Sequence, residues 1–242
     1  MTAFSPNALQ QSAFPFDLVG FDLDGTLLDS APDLADALNH ALVQAGRTPA
    51  SRAEARGFVG GGTRMMLERA LAFTGGPLPD AQVDTLLPQL ITYYEEHISV
   101  HTRPYPGMEA MLEGLAARGV KLALVTNKLE RLAVKLLEEL GLTHHFYTII
   151  GGDTLGPGRA KPAPDLLHLM IERSGLTNPR AAYVGDTHYD TGAAAAAGLP
   201  VVAVTFGFSE VPVDTLGADA VIEHFDALIP ALEQLGAEAP AA

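Results

Sequence analysis

The chain has no cysteine, which excludes a disulfide, a thiolate nucleophile and a thiolate metal site. That absence fits a reducing compartment. Basic residues are scarce: 15 Lys and Arg stand against 29 Asp and Glu, for a formal net charge of −14. A balance of that sign argues against whole-surface attraction to nucleic acid or anionic lipid. An anionic small molecule is still acceptable wherever a site supplies local positive charge. Residues 1–20 carry no Lys or Arg, which argues against a signal peptide, and no uninterrupted apolar stretch is long enough to span a bilayer. The expectation is a cytoplasmic chain with no membrane and no nucleic-acid partner.

What is present is enough to build a core. The 242 residues are 48% hydrophobic and 18% charged, which suits one large domain or two modest ones. Residues 1–15 read as an irregular leader. Leu18–Phe21 is a short apolar run ending at Asp22, as in a parallel strand buried on both faces. Ser30-Ala-Pro-Asp then reads as a helix start: Ser30 is a candidate cap, Pro32 fits the first turn and Asp33 suits the positive end of the helix dipole.

From residue 31 to residue 100 the patterns are helical, with no convincing strand. "LADALNHALVQAG", "TRMMLERALAF" and "DAQVDTLLPQLITYYEEHI" carry apolar residues at helical spacing, Pro88 marking a kink or boundary in the last. After "RPYPG" the rhythm changes. "KLALVTN", "FYTIIGG", "AAYVGDT", "PVVAVTFG" and "ADAVI" read as strands, with helical stretches between most of them. Such alternation gives an α/β fold: a Rossmann-like parallel sheet covered on both faces. Residues 16–30 and 101–242 form that core, and 31–100 an inserted all-helical cap. The insert is rooted just past the first strand, at the sheet edge where parallel sheets place their ligands.

The ends of the predicted strands carry the chemistry. The first offers Asp22, Asp24 and Thr26, the next Thr126 and Asn127. A loop then brings Lys161, and a later strand ends at Asp186 and Thr187, with Asp190 one helical turn on. Carboxylates brought close repel one another unless protonated or neutralised by a cation, and Asp oxygens with backbone carbonyls and water suit magnesium. Asp22 and Asp186 can thus hold a divalent ion that also grips a phosphate oxygen, so that a carboxylate can attack phosphorus. Taken singly, Asp22 reads equally well as a turn residue and Asp190 as a first-turn helix acid, Thr126 reads better as a turn or cap hydroxyl and Lys161 as a solvated lysine, and Asp186 reads poorly as a turn residue. His188 and the pair His144 and His145 are assigned nothing. The glycines at 60–62 follow no strand, so they read as a turn between cap helices rather than a dinucleotide fingerprint.

"DLDGT", "VTN", "KP" and "VGDTHYD", in this order, resemble the four motifs of the haloacid dehalogenase superfamily, and the resemblance runs from about residue 17 to residue 225. It implies a helical cap over the core and Mg2+ as cofactor. It implies Asp22 as nucleophile, through an aspartyl-phosphate, and Asp24 as general acid and then base, its main-chain carbonyl also meeting the metal. Thr126 and Asn127 would bind phosphoryl oxygens, Lys161 would neutralise Asp22 and the phosphoryl group, Asp186 would ligate the metal and Asp190 would support it from behind. Dehalogenases of the superfamily lack an acid matching Asp24, so its presence favours phosphoryl transfer.

Within the superfamily, "FDLDGTLLDSAPDLADALNHAL", "FVGGGTRMMLERAL" and "GGDTLGPGRAKPAPDLL" are most similar to the bacterial phosphoglycolate phosphatase family. That implies a phosphomonoester hydrolase for a small anionic substrate, 2-phosphoglycolate. Sugar-phosphate phosphatases, including those for N-acetylmuramic acid 6-phosphate, share much of the likeness, and a phosphomutase shares less. A receiver-type phospho-switch would use similar residues but is about half as long and lacks a helical insert. A silent binding protein on the same fold would not need the full set. A carboxylate beyond the phosphate calls for a positive cap residue: Arg64 is the candidate, near Gly61 and Gly62, with Arg56 and Arg52 as alternatives. A monomer and a homodimer are both compatible with the sequence.

Overall fold

The computed structural model describes residues 14–209 and 211–238; all of the leader but Phe14 and Pro15 lies outside them. The first strand, β1 (Leu18–Phe21), is buried along its whole length. A two-residue strand β2 (Leu28–Asp29) leads into four helices, α1 (Ala31–Gln44), α2 (Arg52–Arg56), α3 (Thr63–Gly75) and α4 (Asp80–Glu96). The chain returns through β3 (Arg103–Pro104) and then alternates: α5 (Met108–Ala116), β4 (Lys121–Val125), α6 (Glu130–Glu139), β5 (Thr148–Ile150), α7 (Asp165–Ser174), β6 (Ala181–Gly185), α8 (His188–Ala197), β7 (Val201–Val204), β8 (Ala220–Ile222) and α9 (Leu228–Glu238).

Six strands form one sheet in the order β5-β4-β1-β6-β7-β8, and every pairing in it is parallel. Leaving β1, the chain fills one side of it through β4 and β5, then crosses to fill the other through β6. The order therefore reverses between β1 and β6, and the crevice at such a reversal is where open α/β sheets bind ligands. The central strands are apolar because helices cover both faces: Leu18, Val19, Phe21, Ala123, Leu124 and Val184 are all fully buried.

Two features of the junction between core and helices differ from the sequence reading. β2 and β3 pair antiparallel, Leu28 with Pro104 and Asp29 with Arg103. They form a ribbon too short to carry a periodic signal, and it joins the two chain crossings. Ser30 occupies the N-cap position of α1 without capping it; its hydroxyl donates to Asp24 Oδ1 at 2.6 Å. Pro88 lies inside α4 and does not end it. No helix among the described residues is long and apolar enough to cross a membrane.

Candidate active site

β1 and β6 deliver the acids. Their buried backbones leave Asp22 and Asp186 projecting from adjacent carboxyl ends, and β4 delivers Thr126 beside them. One ligand atom each from Asp22, Asp186 and Asp190 lies within 4.8 Å of the others. Lys161 reaches in from the loop before α7, with Nζ 3.0 Å from Asp22 Oδ1 and 2.6 Å from Asp190 Oδ1. The same ammonium donates to the Tyr183 hydroxyl at 2.9 Å.

The turn after Asp24 is built for close approach. Gly25 has φ +88, and a Cβ there would sit 2.3 Å from Asp186 Oδ2. A residue with a side chain would be strained in that conformation and would push into the acid cluster. Thr26 donates its hydroxyl to Asp186 Oδ1 at 3.0 Å, and the Phe208 N–H donates to Oδ2 at 2.6 Å.

Asp190 is held on both sides. Its Oδ2 accepts from the N–H and hydroxyl of Thr187 at 2.9 and 2.7 Å, and from the Asp186 N–H at 3.2 Å. With Lys161 on Oδ1, this carboxylate organises the start of α8 and anchors the lysine. Burial works against its charge, but Lys161 and Thr187 hold its pKa below the usual aspartate range.

Asp22 and Asp186 go the other way. Burial pushes Asp22 up to about 6, Lys161 opposing and the neighbouring acids assisting. Burial pushes Asp186 well up as well, with Asp190 and Asp22 adding to it. Asp22 Oδ1 is buried and accepts no hydrogen bond; its contact with Lys161 is an ion pair. A buried oxygen without a hydrogen bond, in a cluster whose members raise one another's pKa, is an environment that a divalent cation with oxygen ligands would relieve. The donor set therefore fits magnesium.

A cavity opens between this edge and the helices. It is lined by Asp22, Asp24, Thr126, Asn127, Lys128, Lys161 and Thr187 from the core, by Gly60, Gly61 and Gly62 between α2 and α3, by Thr63 at the start of α3, and by Tyr94 of α4. Gly60, Gly61 and Gly62 all have positive φ, which lets that turn lie against the core.

Some expected residues stand elsewhere. Asn127 lines the cavity, but its side chain is engaged: Nδ2 donates to the Lys161 carbonyl and Oδ1 accepts the Lys161 N–H, both at 2.9 Å. It fixes the lysine loop. Arg64 does not line the cavity. One helical turn sets it beside Glu68 at 3.1 Å, and it also pairs with Asp84 on the exposed side of the helices. Arg56 donates to the carbonyls of Phe206 and Gly207 at 2.8 and 3.0 Å, and Arg52 faces Asp36 at the surface. None of the three offers a free guanidinium to a ligand in the cavity.

The sequence reading missed Lys128 and Tyr94. Lys128 Nζ lies 3.0 Å from both carboxylate oxygens of Asp24 and 2.8 Å from the Tyr94 hydroxyl. Lys128 directly follows Thr126 and Asn127 in sequence, which was the available signal. Tyr94, in the last turn of α4, gave none.

An acid cluster at the reversal point of a doubly wound sheet, with a buried lysine beside it and inserted helices as a roof, is the arrangement of a phosphoryl-transferring hydrolase. The family model described as haloacid dehalogenase-like hydrolase matches residues 19–204, and the chain belongs to that family. Among curated relatives, phosphoglycolate phosphatase of Agrobacterium fabrum is 44% identical over 88% of this chain and 90% of its own length. That of Caulobacter vibrioides is 41% identical over 86% of each. The crystal structure of a predicted phosphoglycolate phosphatase from Haemophilus somnus aligns with a TM-score of 0.83 at 32% identity, covering 89% of this chain and 97% of that one.

Proposed function

We propose that the chain is a magnesium-dependent phosphomonoesterase that hydrolyses 2-phosphoglycolate to glycolate and phosphate through an aspartyl-phosphate on Asp22. The observation that carries the reading is Asp22 Oδ1, buried beside Lys161 and without a hydrogen bond. A carboxylate oxygen paired with a cation but held by no hydrogen bond is poised for nucleophilic use. The names of the relatives support the substrate.

Asp22 and Asp186, with the main-chain carbonyl of Asp24, would hold Mg2+. When bound, the ion would supply charge that offsets the repulsion between a carboxylate and a phosphoryl group. The chain's own residues do the rest. Lys161 places one positive charge against Asp22, and Asp190 and the Asn127 amide hold Lys161 in place. Thr126 and backbone N–H groups of the segment after β4 face the phosphoryl oxygens. Asp22 attacks phosphorus. Asp24, steered by Ser30 and Lys128, gives a proton to the departing alkoxide and later takes one from the water that cleaves the aspartyl-phosphate. The helical insert, residues 31–100, acts as the cap and keeps bulk water from the leaving group.

The test is phosphate release from a panel of phosphomonoesters ranked by kcat/KM, with chelator and with magnesium restored. The expected result is 2-phosphoglycolate first, activity abolished by chelation and recovered on adding the metal. Acid-quenched enzyme should carry phosphate on the peptide containing Asp22. A sugar phosphate at the head of the ranking, or turnover indifferent to chelation, would overturn the reading.

A further inference from the structure

The motifs assign Lys128 no task, and Arg64 cannot perform the one the sequence suggested for it. Yet a substrate such as 2-phosphoglycolate carries a second anionic group, and a cavity that binds it needs a second cation. Among the described residues lining the cavity, Lys128 and Lys161 are the cationic ones. Lys161 is committed to Asp22, Asp190, the Tyr183 hydroxyl and the Val125 carbonyl. Lys128 faces one carboxylate and one hydroxyl.

Its position relative to Asp24 is the telling one. In the proposed reaction Asp24 protonates the ester oxygen, so the leaving alcohol lies against Asp24. The Lys128 ammonium is 3.0 Å from both oxygens of that carboxylate. In glycolate the carboxyl carbon is two bonds from the oxygen that leaves. A carboxylate at that separation falls within hydrogen-bond reach, about 2.7–3.2 Å, of a cation already touching Asp24. Much of the surrounding wall is apolar, with Leu34, Val59, Met66, Leu90, Ile91 and Leu132, so a charge there is poorly screened.

The lysine is charged and held. Burial opposes its charge, but Asp24 and Tyr94 more than offset that, and its pKa lies above the ordinary lysine range. The Tyr94 hydroxyl oxygen accepts from Nζ at 2.8 Å, and the Tyr94 ring lies 4.4 Å from Nζ. The three ammonium donors meet both Asp24 oxygens and the Tyr94 hydroxyl; by giving up one of its two contacts to Asp24 the ammonium can serve Asp24 and a substrate carboxylate together, where a planar guanidinium would commit to one.

We infer that Lys128 is the specificity-determining residue: it binds an anionic group carried by the leaving alcohol two bonds from the ester oxygen, and Tyr94 sets its position from the cap. The inference rests on the phosphatase reading above and names the feature of the substrate that the site selects.

The experiment compares kcat/KM for 2-phosphoglycolate and for ethyl phosphate, which keeps the phosphate and the two-carbon chain but lacks the carboxylate. The wild-type ratio should exceed about tenfold, the scale of a charge-assisted hydrogen bond. In Lys128→Met both rates should fall, because Asp24 loses its partner, but the ratio should fall by a further ten- to hundredfold. Glycolate, tested as an inhibitor of ethyl phosphate hydrolysis, should weaken in parallel. Should Lys128→Met not fold, Tyr94→Phe carries the same test, with the ratio falling about threefold or more. Turnover of both substrates with a wild-type ratio near one overturns the inference and leaves the phosphatase reading standing, as does a ratio unchanged in the variants. Hydrolysis of neither substrate overturns both.

Discussion

Thr102 donates its main-chain N–H and its hydroxyl to the same carboxylate oxygen of Asp33, at 2.8 and 2.7 Å, and both residues are buried. The His101 N–H donates to the same side chain, 2.9 Å from Oδ1. Asp33 stands in the first turn of α1 and Thr102 just before β3, so one carboxylate ties the chain leaving the core to the chain returning. The sequence pattern placed Asp33 at a helix dipole. The structure shows it doing that and closing the junction too.

Asp33→Ala should therefore cost more than a lost helix-end charge. It would strand the Thr102 N–H in the interior, at a cost of about 1–3 kcal/mol, and leave the hydroxyl only its longer contact to the Ile98 carbonyl at 3.4 Å. A loss of about 2–4 kcal/mol in urea-induced unfolding is expected. A change under about 0.5 kcal/mol would mean that water substitutes for the carboxylate.

Asp186→Asn separates stability from function. Burial pushes the Asp186 carboxyl well above its ordinary pKa, and the adjacent acids push the same way. A neutral amide removes that penalty while Thr26 and Phe208 keep partners, the Thr26 hydroxyl turning to accept. In the presence of chelator the variant should match the wild type or exceed it by about 0.5–2 kcal/mol, as substitutions at functional sites do. Magnesium should raise the Tm of the wild type by binding to the folded state, and the variant should lose that rise. A variant less stable in chelator, or still stabilised by the metal, would place the ion elsewhere.

Lys161→Met makes a pH-dependent prediction. In the wild type Asp190 titrates below its unfolded value, since Lys161 and Thr187 outweigh burial. A depressed pKa stabilises the fold above the unfolded value, near 4, and the gain fades as pH falls through the folded one. Without Lys161 the balance reverses. Burial then raises Asp190 above its unfolded value, and the folded state is penalised as pH climbs through 4 and beyond. The difference between wild type and variant should be small in acid and grow to about 3–5 kcal/mol near pH 8, the cost of an uncompensated buried charge. Urea unfolding at several pH values checks it. A difference constant with pH would show that Lys161 contributes packing rather than charge.

Much of this was legible in the chain itself, and the reason is physical. Asp22, Asp186 and Thr126 follow apolar runs that can only be buried strands, so their location at one sheet edge follows from parallel topology. The ribbon of β2 and β3 was not legible, because two residues have no period. Arg64 misled because nearness in sequence to Gly61 and Gly62 says nothing about which side of α3 it occupies. Its partners, Glu68 and Asp84, lie on the side away from the cavity. The contact between Lys128 and Tyr94 joins residues 34 positions apart and depends on how the helices settle on the core, which no local pattern encodes.

The glycine after Asp24 offers the sharpest contrast between backbone and site. Gly25 and Gly46 both have positive φ, +88 and +69, so alanine at either place is strained by about 1 kcal/mol. Nothing lies within 4 Å of a Cβ at Gly46, whereas one at Gly25 would meet Asp186 Oδ2 at 2.3 Å and the Phe208 ring at 2.9 Å. Those atoms have little room to yield, because Asp186 is fixed by Thr26 and by the Phe208 N–H. Gly46→Ala should then lower stability by about 1 kcal/mol and leave kcat and magnesium affinity as they were. Gly25→Ala should add about 1–3 kcal/mol of overpacking and, by displacing a metal-facing carboxylate, weaken magnesium and cut kcat by about a hundredfold or more, as misplacement of reacting groups does. Metal titration followed by Tm, alongside kcat, reads both effects. If the two alanine variants behaved alike, backbone strain would account for the whole cost, and the close approach of the turn to Asp186 would have no part in organising the site.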